Sequence, residues 1–390
     1  MTVQIQNVSD SKTILRSSVA DKKIIWLQEP NKYLLVIPPI DKIIEKIILG
    51  ETDEQITDFC IHQMELNEEE SVQLLLQVKA NFQEIQESTK IPLTNKREKN
   101  TVSLPKEFAY KRFYRINEIV FFIEYETTEL EYFIHPKFAH LEISPISEYT
   151  NYFQLFWVNS EIVLMVNDER IGSWAREKEH FMSGKVSMEI LQKVTQTEEK
   201  NWMAVFHAAG ISNGKEGLLF LGDSGNGKST LSALLMANGF DVLADDFLPV
   251  ESKTCYLSSF PAAISVKKNA IESLSNKFPE LKRAKEYEYP AFNKTVRYLS
   301  NPLATTAAPK KVPCKALVFV KYEANSGLQF DRLPKDIAFQ KLVPDSWISP
   351  LEDNAKCFLD WFSELPCWQL TYSDAGAMVK TVKKIFDNEL

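Results

Sequence analysis

The chain has no uninterrupted apolar run of about 18 residues, so no membrane-spanning helix is expected. Its polar opening, MTVQIQNVSDSKTILRSS, lacks the basic, apolar and small-residue segments of a secretory signal. Cysteine is sparse: Cys60, Cys255, Cys314, Cys357 and Cys367 are scattered, odd in number and form no C-x-x-C pair. That pattern excludes a disulfide framework or zinc site and predicts reduced thiols in a cytoplasmic compartment. A basic surplus is missing as well. With 45 Lys and Arg against 53 Asp and Glu, the net charge of −8 argues against a protein that grips nucleic acid by neutralising phosphates. No internal repeat and no long low-complexity tract occurs.

What remains is the composition of a globular protein, 44% apolar and 25% charged. At 390 residues the chain exceeds one ordinary core, and two or three domains are expected. KIIWLQ and KYLLVI, joined by EPNK, read as a strand pair within 23–37. Three helices follow. The first ends at Gly50; the second opens with Thr52 and Gln55 at capping-box spacing; the third opens with Asn67 and Glu70. Residues 1–86 thus predict a small α+β domain of winged-helix character. The polar, aperiodic stretch 87–102 reads as a linker. YKRFYRI, IVFFIEY, YFQLFWV and EIVLMV make 103–200 a β-rich intermediate region. From 201 to 390, strands alternate with helices, which predicts an α/β domain onto which the intermediate region packs.

The strongest motif is GLLFLGDSGNGKSTLSALL, in which Gly222–Ser229 match G-x-x-x-x-G-K-[ST] between an apolar strand and a helix. Gly222, Gly225 and Gly227 let the backbone turn sharply and aim its N–H groups inward. The helix start adds partial positive charge against phosphates. Lys228 supplies a full cation, and Ser229 a hydroxyl for Mg²⁺. Asp223, Ser224, Asn226 and Thr230 complete the ATP-binding stretch. Seventeen residues past Lys228, DVLADDF ends in Asp245 and Asp246, read as lying at the end of the strand beside the P-loop strand. One acid would serve the metal and the other would take a proton from an attacking hydroxyl. An aspartate-rich turn after a strand is the ordinary alternative. His207, fifteen residues before Gly222, reads on spacing alone as a strand-end or core histidine.

AVFHAAG, GDSGNGKST and FDVLADD, in this order, resemble the kinase domain of HPr kinase/phosphorylase and its relatives, whose P-loop fold is similar to that of phosphoenolpyruvate carboxykinase. The resemblance is strongest over about residues 202–250. It implies Mg²⁺ at Ser229 and Asp245, Asp246 as general base, and His207 as the histidine supporting it. SFPAAISVKKN and KTVRYLSNP look like stretches of HPr-kinase-like proteins from peptide-modification neighbourhoods, which makes Lys267, Lys294 and Arg297 candidate substrate cations, with solvated surface charge as the alternative. Lys310–Lys311 and the 282–285 run read as surface charge. The glycine-rich C-terminal signature of true HPr kinases is absent, so HPr as substrate, the reverse reaction and the hexamer are not carried over.

Residues 20–86 are similar to the PqqD-like domain that holds a leader peptide as an added strand. The rival, a DNA-binding winged helix, would present a third helix with five glutamates and one lysine, a surface that repels phosphate. The resulting expectation is an ATP- and Mg²⁺-dependent kinase acting on a serine or threonine hydroxyl of a ribosomally made precursor peptide. No nucleic acid or membrane partner is expected, and a homo-oligomer stays open. A kinase of small metabolites, such as a free amino acid or a sugar, and a non-catalytic nucleotide-gated peptide binder are the alternatives.

Overall fold

The computed structural model describes residues 4–8, 12–87, 98–99, 102–289, 294–306 and 308–390, and the expected linker falls almost wholly outside them. It is mixed α/β with several separate sheets. Two compact units form, one from residues 1–93 and 333–365, the other from 94–332 and 366–390.

The first unit is built on an antiparallel four-stranded sheet in chain order: Gln4–Val8, Lys12–Val19, Lys22–Leu27 and Lys32–Val36. Asn31 takes a positive φ of 59° in the hairpin turn, and its Oδ1 accepts the Trp26 indole N–H at 2.7 Å. Lys12–Val19 is a strand that the polar opening had concealed. It buries Ile14 and Leu15, and it can also bury Arg16 because Asp41 pairs with the guanidinium at 2.9 Å. Helices Pro38–Ile48, Asp53–Met64 and Glu68–Glu87 follow. Their starts are chemically specified. Thr52 and Gln55 form the reciprocal capping box, and Asn67 and Glu70 do the same for the third helix. Ile43, Ile56, Cys60, Leu75 and Phe82 meet Ile25 and Leu27 in one apolar core.

The boundary expected at residue 86 needs correction, as does an unbroken catalytic domain from 201 to 390. Helices Lys335–Leu342 and Glu352–Glu364 belong to the first unit. Aromatic packing is the physical reason. The Tyr33 ring meets Phe339 at 6.1 Å and Phe358 at 5.4 Å, both edge-on. Polar contacts fix the register, with Lys22 on Asp336 at 2.7 Å and Thr13 Oγ1 donating to Glu352 at 2.9 Å. Lys335 donates to the Phe362 and Ser363 carbonyls at the end of the second helix, where a cation offsets the helix dipole.

In the second unit, the order Asp241–Ala244, Ala209–Ser212, Gly217–Leu221, Lys311–Tyr322, Cys367–Tyr372, Leu328–Arg332 defines the sheet that carries the P-loop. Gly217–Leu221 lies parallel to Lys311–Tyr322; the first is buried throughout and the second over residues 316–320, as central parallel strands are. Lys228–Met236 and Ala375–Phe386 pack on this sheet through Leu231, Leu235, Met378 and Val382. A seven-stranded sheet carries the β-rich region, including Tyr110–Ile116, Ile119–Tyr125, Asn151–Val158 and Glu161–Val166. Helices Thr128–Phe138 and Glu179–Thr195 lie against it. A third, three-stranded sheet orders Ile264–Lys267, Lys294–Leu299 and Glu286–Tyr289. Among the described residues, no helix is long and apolar enough to cross a membrane.

Candidate active site

The glycines of the P-loop are required by what surrounds them. Gly222 follows directly on the buried strand with φ +152°, and a Cβ there would lie 2.6 Å from the Val320 carbonyl oxygen of the neighbouring strand. At Gly227, φ is +89° and a Cβ would press on Tyr322 and on the Tyr372 hydroxyl at 3.2 and 3.3 Å. Gly222→Ala should therefore displace the loop, lower stability by roughly 2–4 kcal/mol and abolish ATP binding. Thermal unfolding and nucleotide titration test this; an unchanged Tm with intact ATP binding would contradict the close approach.

The loop is also tied from its far side, because the Tyr322 amide donates to the Asn226 carbonyl at 3.1 Å. Lys228, buried at the helix start, turns its ammonium back onto the Gly222 carbonyl. The cation is thus held inside the cradle it belongs to. Asp223, Ser224 and Gly225 form the exposed rim.

Asp245 and Asp246 follow the strand Asp241–Ala244, but that strand does not lie beside the P-loop strand as expected. Ala209–Ser212 intervenes, paired antiparallel to both. The tight Asn213–Glu216 turn makes Ala209–Ser212 a hairpin partner of the P-loop strand, which pushes the aspartate strand one place outward. Since the intervening strand is antiparallel to each, the two flanking strands still end on the same side. The aspartates therefore reach the start of the P-loop helix.

Asp245 is buried and well supplied with donors. Ser232 Oγ and the Ser265 amide each donate to it at 3.2 Å, and Ser229 adds a hydrogen bond. Burial, reinforced by the Asp246 charge, still pushes its carboxyl up to about 7. Asp246 is more open, and its Oδ1 lies 3.9 Å from His207 Nε2. His207 occupies the turn between Trp202–Phe206 and Ala209–Ser212, with its side chain about half exposed. Of the two places that spacing alone allowed, it takes the strand end and not the core. Asp245 and Ser229 offer the hard oxygens Mg²⁺ prefers. No group of three or more His, Cys, Asp or Glu among the described residues could hold a metal, so a cation here would take its other ligands from phosphate and water, as Mg²⁺ commonly does.

Of the three candidate substrate cations, two reach this site and one does not. Strand alternation separates them. Lys267 pairs with Val296, which shares a face with Lys294, while Arg297 points to the opposite face. Lys267 Nζ contacts Ser224 Oγ of the P-loop at 3.4 Å, and Lys294 Nζ contacts Ser265 Oγ at 3.4 Å, beside the amide that holds Asp245. Arg297 instead donates to the Leu281 and Lys282 carbonyls at 2.7 Å each and pairs with Glu286 at 3.3 Å. Its role is to fix the chain around 281–286, which corrects the expectation of a substrate contact. Lys310 and Lys311 are paired with Asp241 and Glu251.

Lys137 escaped the sequence reading altogether. It lies on Thr128–Phe138, a helix in the stretch read as strands. Apolar residues at 130, 134 and 138 after the Thr127 cap were the available signal, and Pro136 within the helix obscured it. The Lys137 ammonium donates to Ser183 Oγ at 2.7 Å, and the charges acting on it are those of Asp246 and Lys294.

Compared with known proteins, the chain matches no family model and no curated sequence.

Proposed function

We propose that the chain is an ATP-dependent kinase of the HPr-kinase type, transferring the γ-phosphoryl group to a serine or threonine hydroxyl of a precursor peptide. The observation that carries this reading is the meeting, at the start of the P-loop helix, of a buried aspartate bonded to Ser229 and an open aspartate beside His207. A nucleotide-binding protein that only changes shape has no use for the second, open carboxylate.

In this mechanism the loop amides and the helix start hold the phosphates, and Lys228 sits against the β- and γ-phosphates. Mg²⁺ at Ser229 and Asp245 would neutralise phosphate charge. Asp246 accepts the proton of the substrate hydroxyl as its oxygen bonds to the γ-phosphorus, and the bond to the β–γ bridging oxygen breaks to release ADP. His207, at 3.9 Å, orients that carboxylate.

The first unit supports a peptide as acceptor. Lys32–Val36 ends its sheet, paired among the described residues only with Lys22–Leu27. A cavity of about 460 Å³ opens beside it, lined by Leu35, Val36, Phe82, Ile85, Phe339 and Val343 among others. An edge strand at the lip of an apolar groove suits an extended segment, whose backbone would pair with the edge while alternate side chains enter the groove. This groove supports the PqqD-like reading, which the sequence of residues 20–86 suggests. Leu35→Glu should weaken precursor binding about tenfold or more while leaving Mg-ATP affinity unchanged, as fluorescence anisotropy with labelled peptide and nucleotide titration would show.

Mass spectrometry of candidate acceptors after incubation with Mg-ATP tests the whole reading. Peptides encoded beside the gene and free serine and threonine are the candidates. A peptide that gains one phosphate, and gains it slowly with Leu35→Glu, is the expected result. Phosphorylated free amino acid would make the chain a metabolite kinase, and ATP bound without any transfer would favour the nucleotide-gated binder. Point substitution is the right tool here, since removing residues 1–100 would strip Tyr33 from Phe339 and Phe358.

A further inference from the structure

Three lysines on the side of the aspartate pair have no acid of their own; one, Lys267, touches the phosphate loop at Ser224, and Lys137 feels the charges of Asp246 and Lys294. Lys137, Lys267 and Lys294 donate to the hydroxyls of Ser183, Ser224 and Ser265, and among the described residues no carboxylate lies within 4.0 Å of any of the three ammoniums. A serine hydroxyl is neutral and occupies one of the three donors of an ammonium. Other part-buried lysines are paired, as at Lys22–Asp336, Lys185–Glu199 and Lys315–Glu216, although Lys23 also rests on a serine hydroxyl, that of Ser18.

Lys137 is the most constrained of the three. Its helix is fastened at two points to the sheet that carries Lys267 and Lys294. Tyr132 Oη donates to the Glu288 carbonyl at 3.0 Å, and the Lys137 carbonyl accepts from the Ala263 amide at 2.9 Å. Ala263 lies two residues before Ser265, whose amide holds Asp245. Burial lowers the pKa of the Lys137 ammonium, and Lys294 lowers it further, with Asp246 opposing. An ammonium in that position costs stability in the empty protein.

A polyanion would reverse that cost. By formal charge, Lys137, Lys228, Lys267 and Lys294 exceed Asp223, Asp245 and Asp246 by one. Magnesium-bound ATP carries about two negative charges at neutral pH. We infer that Lys137 is a further catalytic cation of this site, delivered by the helix Thr128–Phe138 from the β-rich region to contact the γ-phosphoryl group. The inference rests on reading Gly222–Thr230 as the nucleotide site.

Calorimetric titration of the full-length protein with Mg-ADP and with the magnesium complex of the β,γ-imido ATP analogue tests it. Lys137→Met should weaken the analogue about tenfold or more, leave Mg-ADP within about twofold, and leave the Tm of the nucleotide-free protein unchanged or higher by a few degrees. Lys137→Arg should recover most of the lost affinity. Lys137→Gln, which keeps a donor toward Ser183 and drops the charge, carries the same expectation as Lys137→Met should that variant not fold. An unchanged preference for the analogue over Mg-ADP in either neutral variant would overturn the inference. So would equal losses for both nucleotides with a lowered Tm, the mark of a packing residue. Wild-type protein that binds neither nucleotide would defeat the nucleotide-site reading itself, and with it this one.

Discussion

Lys228→Ala should reduce phosphoryl transfer by at least about 10²–10³-fold and weaken ATP binding about tenfold, the larger loss falling on the rate. Two functions of the side chain underlie the expectation. Lys228 is buried at the helix start and its ammonium is bonded to the Gly222 carbonyl, so it closes the loop and, on the proposed reading, would supply the cation nearest the β–γ bridge. Loop amides and the helix dipole survive the substitution, which is why binding weakens without vanishing. Arginine should rescue poorly, because a planar guanidinium is larger than the space that a compact ammonium fills. Single-turnover transfer with labelled ATP separates the two effects, and normal turnover in Lys228→Ala would remove the loop from the chemistry.

Asp246→Asn should bind Mg-ATP nearly as wild type does yet transfer roughly 10²–10⁴-fold more slowly. The substitution keeps size and shape but removes the negative charge, and with it the capacity to take a proton. Asp246 is the more exposed acid, beside His207, whereas Asp245 is buried among Ser229, Ser232 and the Ser265 amide. On the proposed reading, that difference in surroundings would give the metal to Asp245 and the proton to Asp246. If binding and rate fall together in Asp246→Asn, the assignment is wrong and Asp246 is a metal ligand. Nucleotide titration beside a steady-state assay distinguishes the two.

Where chemistry is local, the residues were legible in order. The strand, loop and helix from Gly217 to Met236 could be read directly, because a phosphate loop is one continuous segment whose glycines and lysine have fixed offsets. Thr52 with Gln55, and Asn67 with Glu70, announced two helices for the same reason: each cap spans only four residues. The helix Thr128–Phe138 was hidden by Pro136 and by neighbouring aromatic strands, and Lys137 went with it. Arg297 was misplaced because its sequence distance from Lys294 says nothing until the strand is known. Three residues along a strand is an odd step, which turns the side chain to the other face.

The linear order of residues was enough to indicate a mixed α/β chain with a glycine-rich strand–loop–helix segment, an aspartate pair and a small helical front segment. The loop, the aspartate pair and each front helix are encoded within a stretch of about twenty residues or fewer, where propensity, capping and spacing act. Pairings across long separations were settled by packing. These include the hairpin strand placed between the aspartates and the P-loop, the return of residues 333–365 to Tyr33, and the docking of Lys137 through Ala263. Such contacts depend on which apolar faces meet once the chain has collapsed. An aromatic ring on residue 339 or 358 does not indicate, in one dimension, that its partner is residue 33.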